Sequence, residues 1–288
     1  MNSSLGKIYI VATPIGNLKD ITFRAIEVLK EVDIIAAEDT RRTRELLNHF
    51  NINTKTISYH EHSGYEKAKE IVERVKLGAN VAITTDAGTP IISDPGNELV
   101  KLAIEENIEV VGVPGACAAI NALVVSGLSA SSFTFIGFLP DDNKRRKNQL
   151  TDLENEMRTM IFYISPHRLK KDLKDLIDLF GDTRKASISR EMTKIYEETV
   201  RGSLREIFDY FDSKEIKGEF VLVVDGIDKK IVEKSRQEEW LNMGIEDHYK
   251  MYIEKGYADK EAIKKIALDR GKDKREIYKL LKVKEPLK

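Results

Sequence analysis

The chain has 288 residues, 41% of them hydrophobic and 33% charged, with a formal net charge of −1. That length allows two domains or a little more, and no apolar run approaches the roughly 20 residues a membrane helix needs. A single cysteine, Cys117, excludes an intramolecular disulfide and a cysteine-based zinc cage. The first residues lack a basic stretch followed by a long apolar one, so a cytoplasmic protein is expected.

In chain order, residues 7–12 are apolar and β-branched and read as a buried parallel strand, broken by Thr13-Pro14-Ile15-Gly16-Asn17. A helix is expected over 22–31 with Thr22 as its cap, then a second buried strand over 33–37 that ends in Glu38-Asp39-Thr40-Arg41-Arg42. A helix over 41–50 and a strand over 56–59 follow, the strand closing on His60-Glu61-His62. An amphipathic helix over 64–77 leads to a strand over 80–84. Residues 84–96, TTDAGTPIISDPG, are too rich in Gly, Pro, Asp, Ser and Thr for helix or strand and form a loop. A helix over 97–105, a strand over 109–113, a turn at Pro114-Gly115, a small-residue helix over 116–126 and a strand over 132–138 complete a first domain, residues 1–139.

Residues 139–143 read as a linker, and Lys144-Arg145-Arg146-Lys147 begins a second domain over 140–226. Helices are expected over 145–157, 165–180 and 204–211, with strands over 160–164, 186–190 and 219–224. Past residue 226 the pattern turns helical, and helices over 259–269 and 273–281 flank a turn at Arg270-Gly271-Lys272. That suits a helix-turn-helix and equally any helical hairpin. Residues 226–288 carry 17 Lys and Arg against 13 Asp and Glu, while the rest carries 30 against 35. A mildly basic tail on an acidic body points weakly to a polyanionic partner.

Strand and helix alternate with short connections, which makes the fold class α/β. The expectation is two α/β domains, the first with a parallel sheet and the second smaller and mixed, followed by a helical segment. A parallel sheet brings the loops after its strands to one rim, and each of those loops here carries unusual residues. Neither G-x-G-x-x-G nor G-x-x-x-x-G-K-[ST] occurs, so a dinucleotide or nucleoside triphosphate is not expected. H-E-x-x-H and G-x-S-x-G are absent too, which sets aside metalloprotease and serine-hydrolase chemistry.

Five motifs together carry a resemblance. They are Ala12–Leu18 with Asp20-Ile21 and Arg24-Ala25; Glu38-Asp39-Thr40-Arg41; Asp86-Ala87-Gly88-Thr89-Pro90 with Ser93-Asp94-Pro95-Gly96; Pro114-Gly115; and Arg190-Glu191-Met192-Thr193-Lys194 with Glu197-Glu198. In this order and spacing, from residue 7 to about 225, the chain resembles the tetrapyrrole methylase superfamily, in its branch acting on ribosomal RNA. The resemblance implies an S-adenosylmethionine-dependent homodimer with the cofactor between two α/β domains. It also implies methylation of a cytidine 2′-hydroxyl in the decoding region of 16S rRNA, on the small ribosomal subunit. By matching position, the implied cofactor contacts are Pro14, Thr89, Ile92, Ser93, Cys117, Ala118, Tyr163, Met192 and Gly218. The superfamily's Gly-Asp-Pro signature is replaced here by Ala87-Gly88-Thr89-Pro90, which points away from porphyrin substrates.

A ribose hydroxyl is a very weak acid, so a base or a pKa-lowering cation helps its transfer chemistry. Glu38, Asp39 and Arg41 at the strand rim are one candidate group, and Arg190, Glu191 and Lys194 in the second domain are another. Each has a plainer reading. Glu-Asp-Thr-Arg can be a helix cap with internal ion pairs, and Lys194 with Glu197 or Glu198 can be a surface pair. Cys117 reads as a small packing residue, and His60 and His62 beside Glu61 as rim residues without a metal. Lys144–Lys147 is either a solvated helix start or a phosphate-contacting patch. The rival functions are a tetrapyrrole or other small-molecule methyltransferase, and a non-catalytic RNA-binding assembly protein.

Overall fold

Strand β1 (Lys7–Val11) lies near the middle of a five-stranded sheet because both of its neighbours pair with it in parallel, β4 (Val81–Thr84) on one side and β5 (Glu109–Val113) on the other. The computed structural model describes residues 5–60, 63–228 and 240–282. With β2 (Ile34–Ala37) and β3 (Lys55–Ser58) the order is β3-β2-β4-β1-β5, parallel throughout. Every residue of β2 and β4 is buried, as their unbroken apolar runs require of strands covered on both faces.

Helices α1 (Phe23–Glu31) and α2 (Thr40–His49) cover one face, packing Val28, Leu29 and Leu47 on Val11, Ile35 and Ala82. Helices α3 (Gly64–Lys76) and α4 (Asn97–Glu105) cover the other, with Ile71, Val75 and Leu99 on Ile8, Ala36 and Ile83. The period-2 alternation of the strands thus feeds two separate cores. Thr22 caps α1, its hydroxyl accepting from Ala25 N–H at 3.1 Å.

Helix α5 (Ala118–Ser126) follows β5 yet packs Ala119, Ala122 and Leu123 against Ile161, Val221 and Val223 of a second sheet. It starts two residues later than its composition predicts, because Cys117 is still extended at φ −143°. The second sheet contains β6 (Phe133–Phe138), β7 (Thr159–Ile164), β8 (Lys185–Arg190), β9 (Glu198–Ser203) and β10 (Phe220–Val224). Its order is β6-β7-β10-β8-β9, parallel between β6 and β7 and antiparallel elsewhere. Its other face carries α7 (Leu169–Phe180) and α8 (Leu204–Asp212), and α8 is opened by a reciprocal cap between Ser203 and Glu206. Residues 133–138, placed by composition before the linker, therefore hydrogen-bond into the second sheet.

Helix α6 (Asn143–Leu153) begins at the cap Asp142. Of the basic run, Lys144, Arg145 and Lys147 are exposed, but Arg146 is buried and cannot join a surface patch. Its guanidinium holds Asp172 at 2.7 Å and Asp175 at 2.6 Å on α7.

Both sheets fall in one compact unit, residues 1–154 with 158–225, and a second unit comprises 155–157 with 226–288. In the second unit α9 (Ile245–Glu254), α10 (Asp259–Asp269) and α11 (Lys274–Lys282) pack around Ile263, Ile266, Ala267 and Ile277. The periodicity past residue 226 marks α10 and α11 but not α9. His248 of α9 is buried, between Asp269 at 3.2 Å and the Arg270 guanidinium, which donates to its Nδ1 at 3.1 Å. Among the described residues no helix is long and apolar enough to cross a membrane.

Candidate active site

The loops after β1, β4 and β5 are laced together at the rim. Thr13 and Gly88 exchange backbone hydrogen bonds at 2.8 and 3.1 Å, and the Thr13 hydroxyl donates to Thr85 O at 3.1 Å. Thr89 in turn donates its hydroxyl to Ala116 O at 3.1 Å. These loops and the ends of β7 and β10 enclose a cavity of about 420 Å³ between the two sheets. Its walls mix apolar groups (Ile15, Phe138, Met192, Val221) with hydroxyls and carboxylates. The loop after β4 is held in an uncommon shape, with Ile91 at φ 78° and Ser93 at φ 67°. For a β-branched residue such an angle costs on the order of 1–3 kcal/mol, and strain of this kind gathers where a ligand needs a fixed wall.

Three carboxylates share one end of the cavity: Glu38, Asp86 and Asp94. Glu38 Oε2 accepts from the Thr85 hydroxyl at 2.6 Å and from Asp86 N–H at 3.3 Å. Asp86 accepts from Asp39 N–H at 3.1 Å through Oδ1 and from Arg42 at 3.1 Å through Oδ2. Burial, reinforced by the Glu38 charge, pushes the Asp86 carboxyl above the usual range. Asp94 is pushed further, to about 6, by burial first and then by the charges of Glu38 and Asp86. Tyr163 opposite is held at about 12 by burial, with Asp94 adding to the effect.

A second groove of about 410 Å³ adjoins the first, and both are lined by Ile15, Arg42, Thr85, Asp86, Ala87 and Glu219. Pro14, Leu18 and His49 line it from the side of the first sheet and Lys194 from that of the second. Lys194 Nζ bridges Glu191 at 2.9 Å and Glu219 at 3.0 Å. Burial opposes its charge, but the two carboxylates prevail and raise its pKa. Glu191 stands at φ 50° and Thr193 at φ 67°, so four of the six non-glycine residues with positive φ among the described residues lie in two cleft loops. Gly218 at φ 89° lies against Glu191; a Cβ there would stand 2.5 Å from the glutamate Cγ.

Of the residues singled out from sequence, Thr89, Ile92, Ser93, Cys117, Ala118, Tyr163, Met192 and Glu38 line the main cavity. Pro14 and Lys194 line the adjoining groove, whereas Gly218 and Glu191 line neither space; Gly218 packs on Glu191, which Lys194 grips. Asp39 caps α2, accepting from Arg41 N–H at 2.8 Å, and its pKa is lowered to about 2 chiefly by the Arg41 side chain. Arg41 is turned to solvent against Asp39 at 2.9 Å, and the arginine that faces the cavity is Arg42. Arg190 donates to Lys217 O at 2.7 Å and does not line either space. Arg42, Asp86, Asp94 and Glu219 line the cavity without having been singled out from sequence; Asp86 and Asp94 stand inside quoted motifs and Arg42 directly follows one. Glu61 and His62 lie outside the described residues. Among those described, no group of three or more His, Cys, Asp and Glu is arranged to hold a metal.

A parallel sheet joined to a mixed one, with a ligand-sized cleft at the strand ends, defines a tetrapyrrole-methylase type of transferase. The chain matches the family described as Tetrapyrrole (Corrin/Porphyrin) Methylases over residues 7–207. Uroporphyrin-III C-methyl transferase from Thermus thermophilus, in a complex with S-adenyl homocysteine, superposes with a TM-score of 0.53 at 18% identity, covering 76% of this chain and 97% of that one. Two relatives called "Ribosomal RNA small subunit methyltransferase I" are far nearer in sequence. That of Halalkalibacterium halodurans is 50% identical over 96% of this chain and 94% of its own, and that of Bacillus subtilis is 45% identical over 98% and 96%. The chain belongs to the ribosomal RNA small subunit methyltransferase I family, within the tetrapyrrole methylases.

Proposed function

We propose that this protein transfers the methyl group of S-adenosylmethionine to the ribose 2′-hydroxyl of a cytidine in the decoding region of 16S rRNA. One observation carries the reading: a donor-sized cavity meets a second groove at Asp86 and Arg42, in a chain half identical to a small-subunit rRNA methyltransferase.

The donor set fits this cofactor. The cavity has neither a glycine-rich phosphate turn nor a cluster of lysines, but it holds carboxylates whose ionisation is disfavoured by burial and by one another. A cation without phosphates relieves that cost. Thr89, Ile92, Ser93, Cys117, Ala118, Tyr163 and Met192 would hold it, largely through shape and backbone. When bound, it supplies a methyl group already activated on a sulfonium, so no acid catalysis is needed.

The remaining work falls to the chain. The adjoining groove orients the acceptor ribose, a proximity effect. Asp86, at the meeting of the two spaces, accepts the hydroxyl proton, and Arg42 beside it steadies the charge developing on oxygen. Glu38 fixes the Thr85–Asp86 turn through two hydrogen bonds. Asp39 and Arg41 hold the start of α2, which aims Arg42. Glu191 and Lys194 fix the opposite lip, and Arg190 ties that lip to residue 217.

The reading extends to a homodimer, supported by the outward apolar face of Ile120, Val124 and Val125 on α5. It extends also to the cytoplasm, where small subunits are assembled. The test is methyl transfer from labelled cofactor to small subunits, free 16S rRNA and uroporphyrinogen in parallel. Label in a cytidine ribose is expected; label in the porphyrin alone overturns the reading.

A further inference from the structure

The turn that follows Lys194 is built against the usual rules. Glu197 N–H donates to Lys194 O at 3.2 Å, which makes Ile195 and Tyr196 the two central residues of a tight turn. Such positions ordinarily take Gly, Pro, Asn, Asp or Ser. Here they hold a β-branched aliphatic 94% exposed and a tyrosine 73% exposed.

The turn is also locked. Thr193 N–H donates to Glu197 Oε2 at 3.0 Å, and Lys194 N–H to Glu191 O at 3.0 Å. Glu191 N–H donates to Glu219 O at 2.9 Å, and Lys194 Nζ pins the same two residues. Across the cleft, Asn17 N–H donates to Thr193 Oγ1 at 3.1 Å. A bare apolar pair on a rigid mount gives up burial without gaining freedom, which is the condition of a surface preorganised for a partner.

Its place says which partner. Lys194, the residue just before the pair, lines the groove that the acceptor ribose must enter, and Arg42 and His49 line that groove from the facing side. Sequence-specific RNA recognition works on single-stranded nucleotides, whose splayed bases stack on aromatic side chains while cations meet the backbone. We propose that Ile195 and Tyr196 form a stacking platform for an unpaired base next to the target nucleotide, with Tyr196 as the face and Ile195 as its apolar edge. This rests on the rRNA reading above.

The experiment is steady-state methyl transfer to small ribosomal subunits by Tyr196→Ala, Ile195→Ser and Tyr196→Trp, with cofactor affinity by calorimetry and mass by light scattering. Loss of one stacked base raises KM for the subunit on the order of 5- to 100-fold in Tyr196→Ala. The kcat, cofactor affinity, melting temperature and mass stay unchanged, and Tyr196→Trp restores KM. An unchanged KM overturns the platform while leaving the methyltransferase standing. A fall in mass with the same variants overturns it too, and makes the turn a contact between copies of the chain. Wild-type protein that labels no RNA in subunits or free rRNA overturns the parent reading and the platform with it.

Discussion

Gly16 and Lys194 meet across the cleft so closely that a β-carbon on the glycine would stand 2.5 Å from the lysine Cγ and 2.9 Å from Thr193 Oγ1. One loop comes from the first sheet and the other from the second, so this contact sets how far the two walls stand apart. Gly16→Ala must push them apart or force Lys194 off Glu191 and Glu219. A cost of about 1–3 kcal/mol is expected, the range for overpacking a fitted contact. Weaker cofactor binding should accompany a lower melting temperature. Unchanged values of both would show that the loops yield freely.

The two arginines after β2 are both exposed but hold different carboxylates. Arg42 reaches Asp86 at 3.1 Å at the edge of the cavity, whereas Arg41 folds back on Asp39 outside it. Arg42→Ala and Asp86→Asn are each expected to lower kcat by roughly 100-fold or more while cofactor affinity changes little, as loss of a charge-stabilising or proton-accepting group does. Arg41→Ala should keep most of the turnover and leave stability nearly unchanged, as loss of a solvent-screened pair does. A reversed order of the two arginine variants in single-turnover assays would move the chemistry to the outer side of the turn.

Asp94 titrates against its neighbours. Its folded pKa of about 6 lies above its ordinary value of 3.8, so the folded chain binds an extra proton between the two. Stability from this group is therefore lost as pH rises from about 4 to about 6 and is level above that. The facing groups are Glu38, Asp86 and Tyr163, with Arg42 reaching Asp86. Asp94→Asn should stabilise the free protein by roughly 1–2 kcal/mol at pH 7.5 and not at pH 4, a figure reduced for partial solvation. Cofactor binding near pH 6 should release a proton, seen as a buffer-dependent heat. Equal heats in buffers of different ionisation enthalpy would remove Asp94 from the cation's surroundings.

Much of this is legible in the sequence. All strands of the first sheet but β3 declare themselves as largely apolar runs of four or five residues, and helices 97–105 and 259–269 match their periodicity to the residue. The cleft loops stand out because they are dense in Gly, Pro and short polar residues, although Ile91 and Glu191 also take positive φ there. Two things were hidden. Periodicity does not say which of two adjacent arginines reaches the cavity rim, since Arg41 and Arg42 stand about 100° apart on the first turn of α2. Nor does composition say that α5 covers the second sheet, because its apolar residues surround it and fit either partner.

Arg146 is a charge in the wrong place for a surface patch, and its removal should show it. It is held by Asp172 and Asp175, while Arg168 Nε stays 3.5 Å from Asp172 and also pairs with Asp141. Burial keeps the Asp172 carboxyl above the usual range even so. Arg146→Met is expected to cost about 3 kcal/mol, the low end for breaking a buried pair, because Arg168 remains. Arg146→Met with Asp172→Leu should recover most of that, since the fully buried carboxylate goes with its partner and Asp175 is partly solvated. Chemical denaturation of the two variants checks it, and an equal loss in both would mean that shape rather than charge matters here.

The C-terminal helices offer a separate test of RNA contact. On α11, Lys274, Arg275 and Lys279 are exposed, while Ile277 turns inward onto Ile263 and Ile266. A helix with cations outward and an apolar seam inward meets phosphates without disturbing its own core. Changing the three to Gln should leave folding intact, because none of them packs in that core. If each neutralises one phosphate, the slope of log affinity against log salt should fall by about 0.7–0.9 per residue. Affinity for small subunits would drop most at low salt and converge with the wild type as salt rises. An unchanged slope would mean that these cations meet solvent, and that the RNA is gripped at the cleft alone.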